Sequence, residues 1–294
     1  MFFAKTKDTT VSKTEIAIIG TSPQAFFIGD ILQNSHCSVT FLIPENQSAK
    51  YQKNFSLIFR PSGFQNRRVE FSFVSEIKKR PAFAFLASAP EDIKNDFLLL
   101  SAPALKNIPV INLSFACTRR LPEELIPDTM YPAFLDGQFI FEKNILTFAN
   151  RPQNLKIQAP ADVLSALKDL FGSTLVIHKS ASQTDLFWQD FVPVFLGSLL
   201  IQSRGQNVAL GLNSPEMRHL TDSALQEISV LAKNEKSDFD TSKALTAVYG
   251  LADTYTGEFT TAQRLNAFIG CFPQINRFDT PALFELLAQT LNKY

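Results

Sequence analysis

The chain has no net charge, few cysteines, no long apolar run and only one of the glycines that a dinucleotide-binding turn calls for. Each shortage excludes something. Lys and Arg total 28 against 28 Asp and Glu over 294 residues, which removes the basic face that nucleic acid or an anionic membrane requires. The group Lys78-Lys79-Arg80 reads as a solvated face ahead of a strand. No apolar run approaches the ~20 residues of a bilayer span, and Met1 to Thr14 lacks the apolar core and cleavage site of a secretory signal. Cys37, Cys117 and Cys271 are scattered, without C-x-x-C spacing. They read as small buried hydrophobes, reduced in a cytoplasmic protein. His36, His178 and His219 lie too far apart in sequence for a zinc site or a Ser/His triad, and no G-x-x-x-x-G-K-[ST] loop occurs.

What is present is a large apolar complement: 45% hydrophobic residues, mean hydropathy +0.02 and 28 phenylalanines spread along the chain. That composition supports one large or two ordinary domains with real cores, the phenylalanines filling them. Strand-like and helix-like segments alternate from residue 15 to about 150. Glu15–Ile19 predicts a first strand, Pro23–Gln33 a helix with Pro in its first turn, and Ser38–Ile43 a second strand. Asn54–Arg60, Val69–Ser75, Pro81–Ala87 and Pro109–Phe115 predict further strands, and Asp92–Leu100 a helix. Gln138–Phe141 and Ile145–Phe148, joined by Glu142-Lys-Asn144, read as a hairpin. This rhythm predicts a Rossmann-like, doubly wound α/β domain over residues 1–158.

Beyond residue 159 the pattern becomes helical: Ala161–Phe171, Asp185–Ser203, Ser214–Asn234, Ser242–Ala252, Thr260–Phe272 and Ala282–Leu291. One strand-like run, Thr174–Ile177, interrupts them, with His178-Lys179 read as a surface turn. The expectation is an all-α C-terminal domain, residues 159–294, with a small-molecule ligand in the cleft between the two.

The first strand runs into Gly20-Thr-Ser-Pro-Gln-Ala25, where a dinucleotide fold carries G-x-G-x-x-G. The first glycine makes the tight turn, the second lets the pyrophosphate approach the backbone, and the third lets the helix close on the strand. Ser22 and Ala25 replace the second and third. Cofactor contacts, if NADP or NAD binds, are expected from Gly20, Thr21, Ser22, Pro23, Gln24 and Ala25, with weak or absent affinity.

The order of these stretches, with Ala82–Ala89, Phe134-Leu-Asp-Gly-Gln-Phe-Ile-Phe141, the Trp188-Gln-Asp-Phe helix, Asn213-Ser-Pro-Glu-Met-Arg218, Leu265–Gly270 and Asp279-Thr-Pro-Ala-Leu-Phe284, resembles the ketopantoate reductase family (2-dehydropantoate 2-reductases). The resemblance implies an NADPH-dependent 2-keto acid reductase of pantothenate biosynthesis. It also implies a C-terminal domain like that of 6-phosphogluconate dehydrogenase, and a homodimer. Family members carry roughly Trp-x-Lys-x-x-x-Asn-x-x-x-Asn, which sets the lysine and both amides on one helix face. The same register here gives Trp188, Asp190, Val194 and Ser198. Asp190 and Ser198 thus occupy catalytic positions, but a carboxylate cannot donate the proton at neutral pH without a large upward pKa shift. On its own Asp190 reads as a solvated or capping carboxylate. The family lysine after the strand at Ala82–Ala87 corresponds to Ser88, placed among the cofactor contacts. Asn112 or Ser114 is the nearest match to its Asn-Gly, and Arg264-Leu-Asn266 replaces its acidic segment, with Glu258 one or two turns earlier. The second strand ends Phe41-Leu-Ile-Pro44, without an arginine for a 2′-phosphate. Lys50 and Lys53 beyond it read as surface lysines. Two functions follow from different classes: a reductase with altered or lost catalysis, and a non-catalytic relative that binds a nucleotide or a partner protein.

Overall fold

The computed structural model describes residues 13–35, 37–51, 56–60, 66–119, 121–142, 144–196, 214–237, 239–246 and 277–291. An eight-stranded sheet forms its centre. In chain order it takes β1 (Glu15–Ile19), β2 (Ser38–Leu42), β5 (Ser72–Val74), β6 (Phe83–Leu86), β7 (Val110–Asn112), β8 (Met130–Leu135), β11 (Asn154–Ile157) and β12 (Val176–Lys179). Their spatial order is β12-β11-β8-β7-β6-β1-β2-β5. The strands from β5 to β8 in this order are parallel, whereas β11 runs antiparallel to β8 and β12 follows β11. The chain builds outward from β1 to β2 and then returns to β6 on its other side. The gap between β1 and β6 is therefore the topological switch point, where α/β sheets form their ligand crevice.

Alternation along β1 explains its burial on both faces. Ile16 and Ile18 join one core with helix α1 (Pro23–Asn34) and Phe26, Phe41 and Phe85, while Ala17 and Ile19 join a second core with Leu42, Ala84 and Leu86. Phenylalanines do fill the first of these cores, where Phe26, Phe41, Phe85 and Phe171 are fully buried. Ring pairs such as Phe26–Phe41, 5.6 Å between centroids, and Phe26–Phe71, 5.7 Å, hold α1 to the sheet edge.

Several expectations change. Val69–Ser75 is two strands, β4 (Arg67–Glu70) and β5, that belong to different sheets. With β3 (Ser56–Arg60), β9 (Gln138–Glu142) and β10 (Ile145–Asn150), β4 forms a separate four-stranded sheet ordered β4-β3-β10-β9. The expected β9–β10 hairpin is present. The stretch Phe134–Phe141 is divided between the two sheets: Phe134 and Leu135 end β8 in the main sheet and Gln138 begins β9 in the other. Pro109–Phe115 is a strand only at Val110–Asn112, and Phe115–Thr118 is the short helix α3. α2 is the short helix Ile93–Leu98.

The boundary expected at residue 158 moves. Helix α4 (Ala161–Phe171) buries Val163, Leu167 and Phe171 in the first sheet's core. His178-Lys179 is the end of β12 rather than a turn, because those backbones pair with Lys156 and Ile157. The sheet layer thus extends to about Ser180. The described helices beyond it are α5 (residues 183–196), α6 (Pro215–Asn234), a short helix over residues 241–246 and α7 (Pro281–Leu291). They share a core that also receives Phe115, Ala116 and Phe134 from the sheet layer. Thr260–Phe272 lies outside the described residues.

Within α5, Gln183–Asp185 leads into a π-helical stretch, Leu186–Phe191, before α-helical geometry resumes. Such stretches are rare and recur at functional sites.

Candidate functional site

The turn after β1 keeps its glycine for a geometric reason. Gly20 has φ +99°, and a Cβ there would stand 2.7 Å from Ala87 O. Beyond it the backbone donors that could meet a phosphate are largely engaged. Ser22 N–H donates to Ala87 O at 3.2 Å, Pro23 has no N–H, and Ala25 N–H donates to Ser22 Oγ at 3.2 Å as the N-cap of α1. Thr21 and Gln24 are half-buried. A helix N-terminus holds an anion through its free N–H groups, and here the serine hydroxyl has taken that place. The loop from Gly20 to Ala25 thus spends the Ser22 and Ala25 N–H groups inside the fold.

The other carboxyl ends are bonded within the fold in part, with Ser88 Oγ and Asn112 Oδ1 buried and without a hydrogen-bond partner. Ser88 N–H donates to Ser114 Oγ at 2.8 Å, and that hydroxyl donates to Ser88 O at 3.1 Å. Ser22, Ser88 and Ser114 are all buried. Asn112 is buried too, its amide donating to Thr118 Oγ1 at 2.7 Å. The Asn112 and Ser114 alternatives thus both act within the fold. Lys50 lies over the Tyr51 ring, 5.3 Å from its centroid, and Lys53 lies outside the described residues.

Behind Ser88 lies an unforeseen carboxyl. Asp96 on α2 is 1% exposed, and burial pushes its pKa up to about 6, with Ser88 opposing and Asp92 adding to the rise. The folded protein therefore binds a proton that the unfolded chain, near the ordinary carboxylate value, releases. The stabilisation is complete below about pH 4 and is lost as pH rises through about 6. At 1.36 kcal/mol per pKa unit the loss is about 3 kcal/mol. Asp96→Asn should stabilise the protein at pH 8 and flatten this slope. Urea unfolding of both proteins from pH 4 to 8 checks it, and parallel curves would refute the assignment.

The cleft side is organised by α5. Trp188 is fully buried and donates from Nε1 to Glu235 Oε2 at 3.0 Å. The same oxygen accepts from Arg119, whose guanidinium lies over Phe187 at 3.9 Å. Arg119 follows α3 in the sheet layer, so this carboxylate ties the two layers together. Val194 packs against the helical core, and Ser198 lies outside the described residues, as do Glu258 and Arg264-Leu-Asn266.

Asp190 is not a solvated or capping carboxylate. It accepts a charge-assisted hydrogen bond from Lys156 Nζ on β11. Burial raises its pKa; Lys156 opposes the rise, while Asp136 and Asp185 add to it. Strand registry fixes the height of this pair. Ile19, Leu86, Asn112 and Pro132 are successive partners across β1, β6, β7 and β8. Lys156 pairs with Phe134, two residues further along β8, at the level of Thr21, Ser88 and Ser114. Directly paired residues share a face, and Phe134 packs into the helical core. Lys156 therefore rises from the carboxyl-end face towards α5. Sequence reasoning missed it because the polar–apolar alternation of Asn154–Ile157 spans only four residues, and the antiparallel turn of β11 is what brings Lys156 there.

No family model and no curated protein matches the sequence. Solved structures do match. A dimeric ketopantoate reductase from Staphylococcus aureus superposes with TM-score 0.72 at 18% identity, covering 95% of this chain and 100% of that one. The chain has the ketopantoate reductase fold. A ketopantoate reductase from Ralstonia eutropha JMP134 (TM-score 0.70, 15% identity, 94% and 97% covered) and a D-mandelate dehydrogenase in complex with NADH (TM-score 0.73, 14% identity, 95% and 98% covered) share it. Among the described residues no helix is long and apolar enough to cross a membrane, and no cluster of His, Cys, Asp and Glu could hold a metal.

Proposed function

We propose that this chain is a non-catalytic member of the ketopantoate reductase fold that binds a small molecule in the cleft beneath α5. The observation that supports it is the engaged Gly20–Ala25 loop: Ser22, Pro23 and Ala25 offer a phosphate almost nothing. Asp190, at the position of the family's catalytic lysine, adds to this. The related structures carry the chemistry of reducing 2-keto acids, and D-mandelate dehydrogenase is described with NADH. In this chain that chemistry has lost its cofactor contacts and its proton donor together. The proposal includes a homodimer, as described for the Staphylococcus protein, and a cytoplasmic location, where Cys37 and Cys117 stay free thiols.

Calorimetry with NADPH and NADH should give no binding tighter than millimolar, and ketopantoate with NADPH should give no change in nicotinamide absorbance. Asp190→Lys should be equally silent, because it sets a second cation against Lys156 without restoring the loop. Turnover near ~1 s⁻¹ or faster, within the ordinary enzyme range, would replace this reading with the reductase one.

A further inference from the structure

The helical layer holds a cavity of about 340 Å³, near the lower end of the range for small-molecule pockets. Its lining comes from α5, α6 and the short helix over residues 241–246 with the two residues before it. It therefore stands apart from the contact between Lys156 and Asp190, which α5 makes with the sheet layer. Burial sorts the walls. Pro193 and Ala244 are buried and Phe239 is half-buried, which makes an apolar floor with an aromatic ring in it, whereas Gln189, Lys233 and Lys243 are exposed around the mouth. Gln189 lies in the π-helical stretch, a geometry that recurs at functional sites. The neighbouring carboxylates are engaged. Glu235 accepts from Trp188 and Arg119, and Asp185 accepts from Ser182 Oγ at 2.7 Å, Ser237 Oγ at 3.1 Å and Gln189 Nε2 at 3.2 Å. Asp240, also in the lining, caps the short helix by accepting from Ser242 N–H at 3.0 Å and Lys243 N–H at 3.1 Å. The two lysines are held far less firmly. Lys243 Nζ comes only within 4.0 Å of Asp240 Oδ2, an exposed pair of the kind worth little, and Lys233 has no ion-pair partner among the described residues.

We infer that this cavity is a second binding site, for a small phosphate monoester with a flat apolar body. The body lies on Phe239 and Pro193, and the phosphate is shared by Lys233 and Lys243. Lysine meets phosphate as a mobile point charge with three donors, so two lysines at one mouth can close on one group without a fixed fork. A phosphate monoester carries close to two negative charges above its second pKa of about 6, enough to answer both ammonium groups, whereas a carboxylate answers one. The site is independent of the cleft and of whatever binds there.

Phenyl phosphate is the probe, titrated by calorimetry at pH 7.5 in low salt. The wild-type protein should bind it in a single saturable event, roughly tenfold or more tightly than inorganic phosphate, which lacks the ring, and than benzoate, which carries one charge. Lys233→Met and Lys243→Met should each weaken binding several-fold, and the double variant should abolish it. Thermal midpoints of all three should match the wild type, because both side chains are exposed. Lys179→Met, which removes an exposed lysine at the end of β12, should leave the affinity unmoved. Absence of saturable binding, or binding that survives in the double variant, overturns the site. So does an equal loss in Lys179→Met, which would mark a diffuse charge effect. Inorganic phosphate bound as tightly as phenyl phosphate overturns the apolar floor, and benzoate bound as tightly overturns the phosphate.

Discussion

Trp188→Ala should lower the free energy of unfolding by about 3–5 kcal/mol, the range for emptying a large aromatic site in a packed core. Trp188 is fully buried among Phe187, Leu186 and the helical core, and its ring meets Phe187 edge-on with centroids 4.9 Å apart. The loss has two parts. One is the cavity. The other is the N–H bond to Glu235, a carboxylate that also holds Arg119 of the sheet layer. Trp188→Phe separates them: it fills much of the space and removes only the donor, for a loss of about 1–3 kcal/mol. Urea midpoints of the three proteins test this, and a loss under ~1 kcal/mol for the alanine variant would show that the helical core can collapse around the site.

Gly20→Ala should destabilise by roughly 3 kcal/mol or more, combining a strained backbone with overpacking. Its φ of +99° disfavours any side chain, and the new Cβ would lie 2.7 Å from both Ala87 O and Ser88 Cα. Those atoms are backbone, so the end of β6 must move away from β1. The comparison is Ser22→Ala, which removes only the N-cap of α1 and should cost about 1 kcal/mol. If thermal melts rank the serine variant as the worse of the two, the contact between Gly20 and β6 is looser than described.

These two positions mark how far the sequence could be read. Strands buried on both faces announce themselves as apolar runs, so β1 and β6 were legible from Glu15–Ile19 and Pro81–Ala87. The turn at Gly20 and the Pro23 start of α1 were legible because backbone conformation restricts residue choice there. Elements defined by pairing were not. β8 is apolar but carries Pro132, which argues against a strand inside a sheet, β11 is only four residues long, and β12 was divided between an apolar run and a supposed turn. That the sheet layer continues past residue 158 is hidden in the sequence for the same reason, since α4 reads as an amphipathic helix whichever layer receives its apolar face. At the site, spacing located Asp190 but not its partner. A lysine 34 positions earlier becomes its neighbour only through the reversed direction of β11. Asp96 carried no signal either, because an aspartate near the start of a helix is ordinarily a solvated residue favoured by the helix dipole.

The π-helical stretch at Leu186–Phe191 bears on how this helix is compared with any other. Its i→i+5 bonds accommodate an additional residue in the turn, and each residue of an α-helix advances the azimuth by about 100°. An insertion of one residue is thereby absorbed in the wide turn, so the flanking α-helical segments keep their faces while the residue count between them grows by one. Trp188 and Asp190 lie within the stretch and Val194 beyond it, so a spacing rule that counts fours along the chain changes meaning midway. Deleting a single residue between Leu186 and Phe191 would return the stretch to an ordinary α-helical turn, and Trp188 and Asp190 could no longer both keep the directions that set one against Glu235 and the other against Lys156.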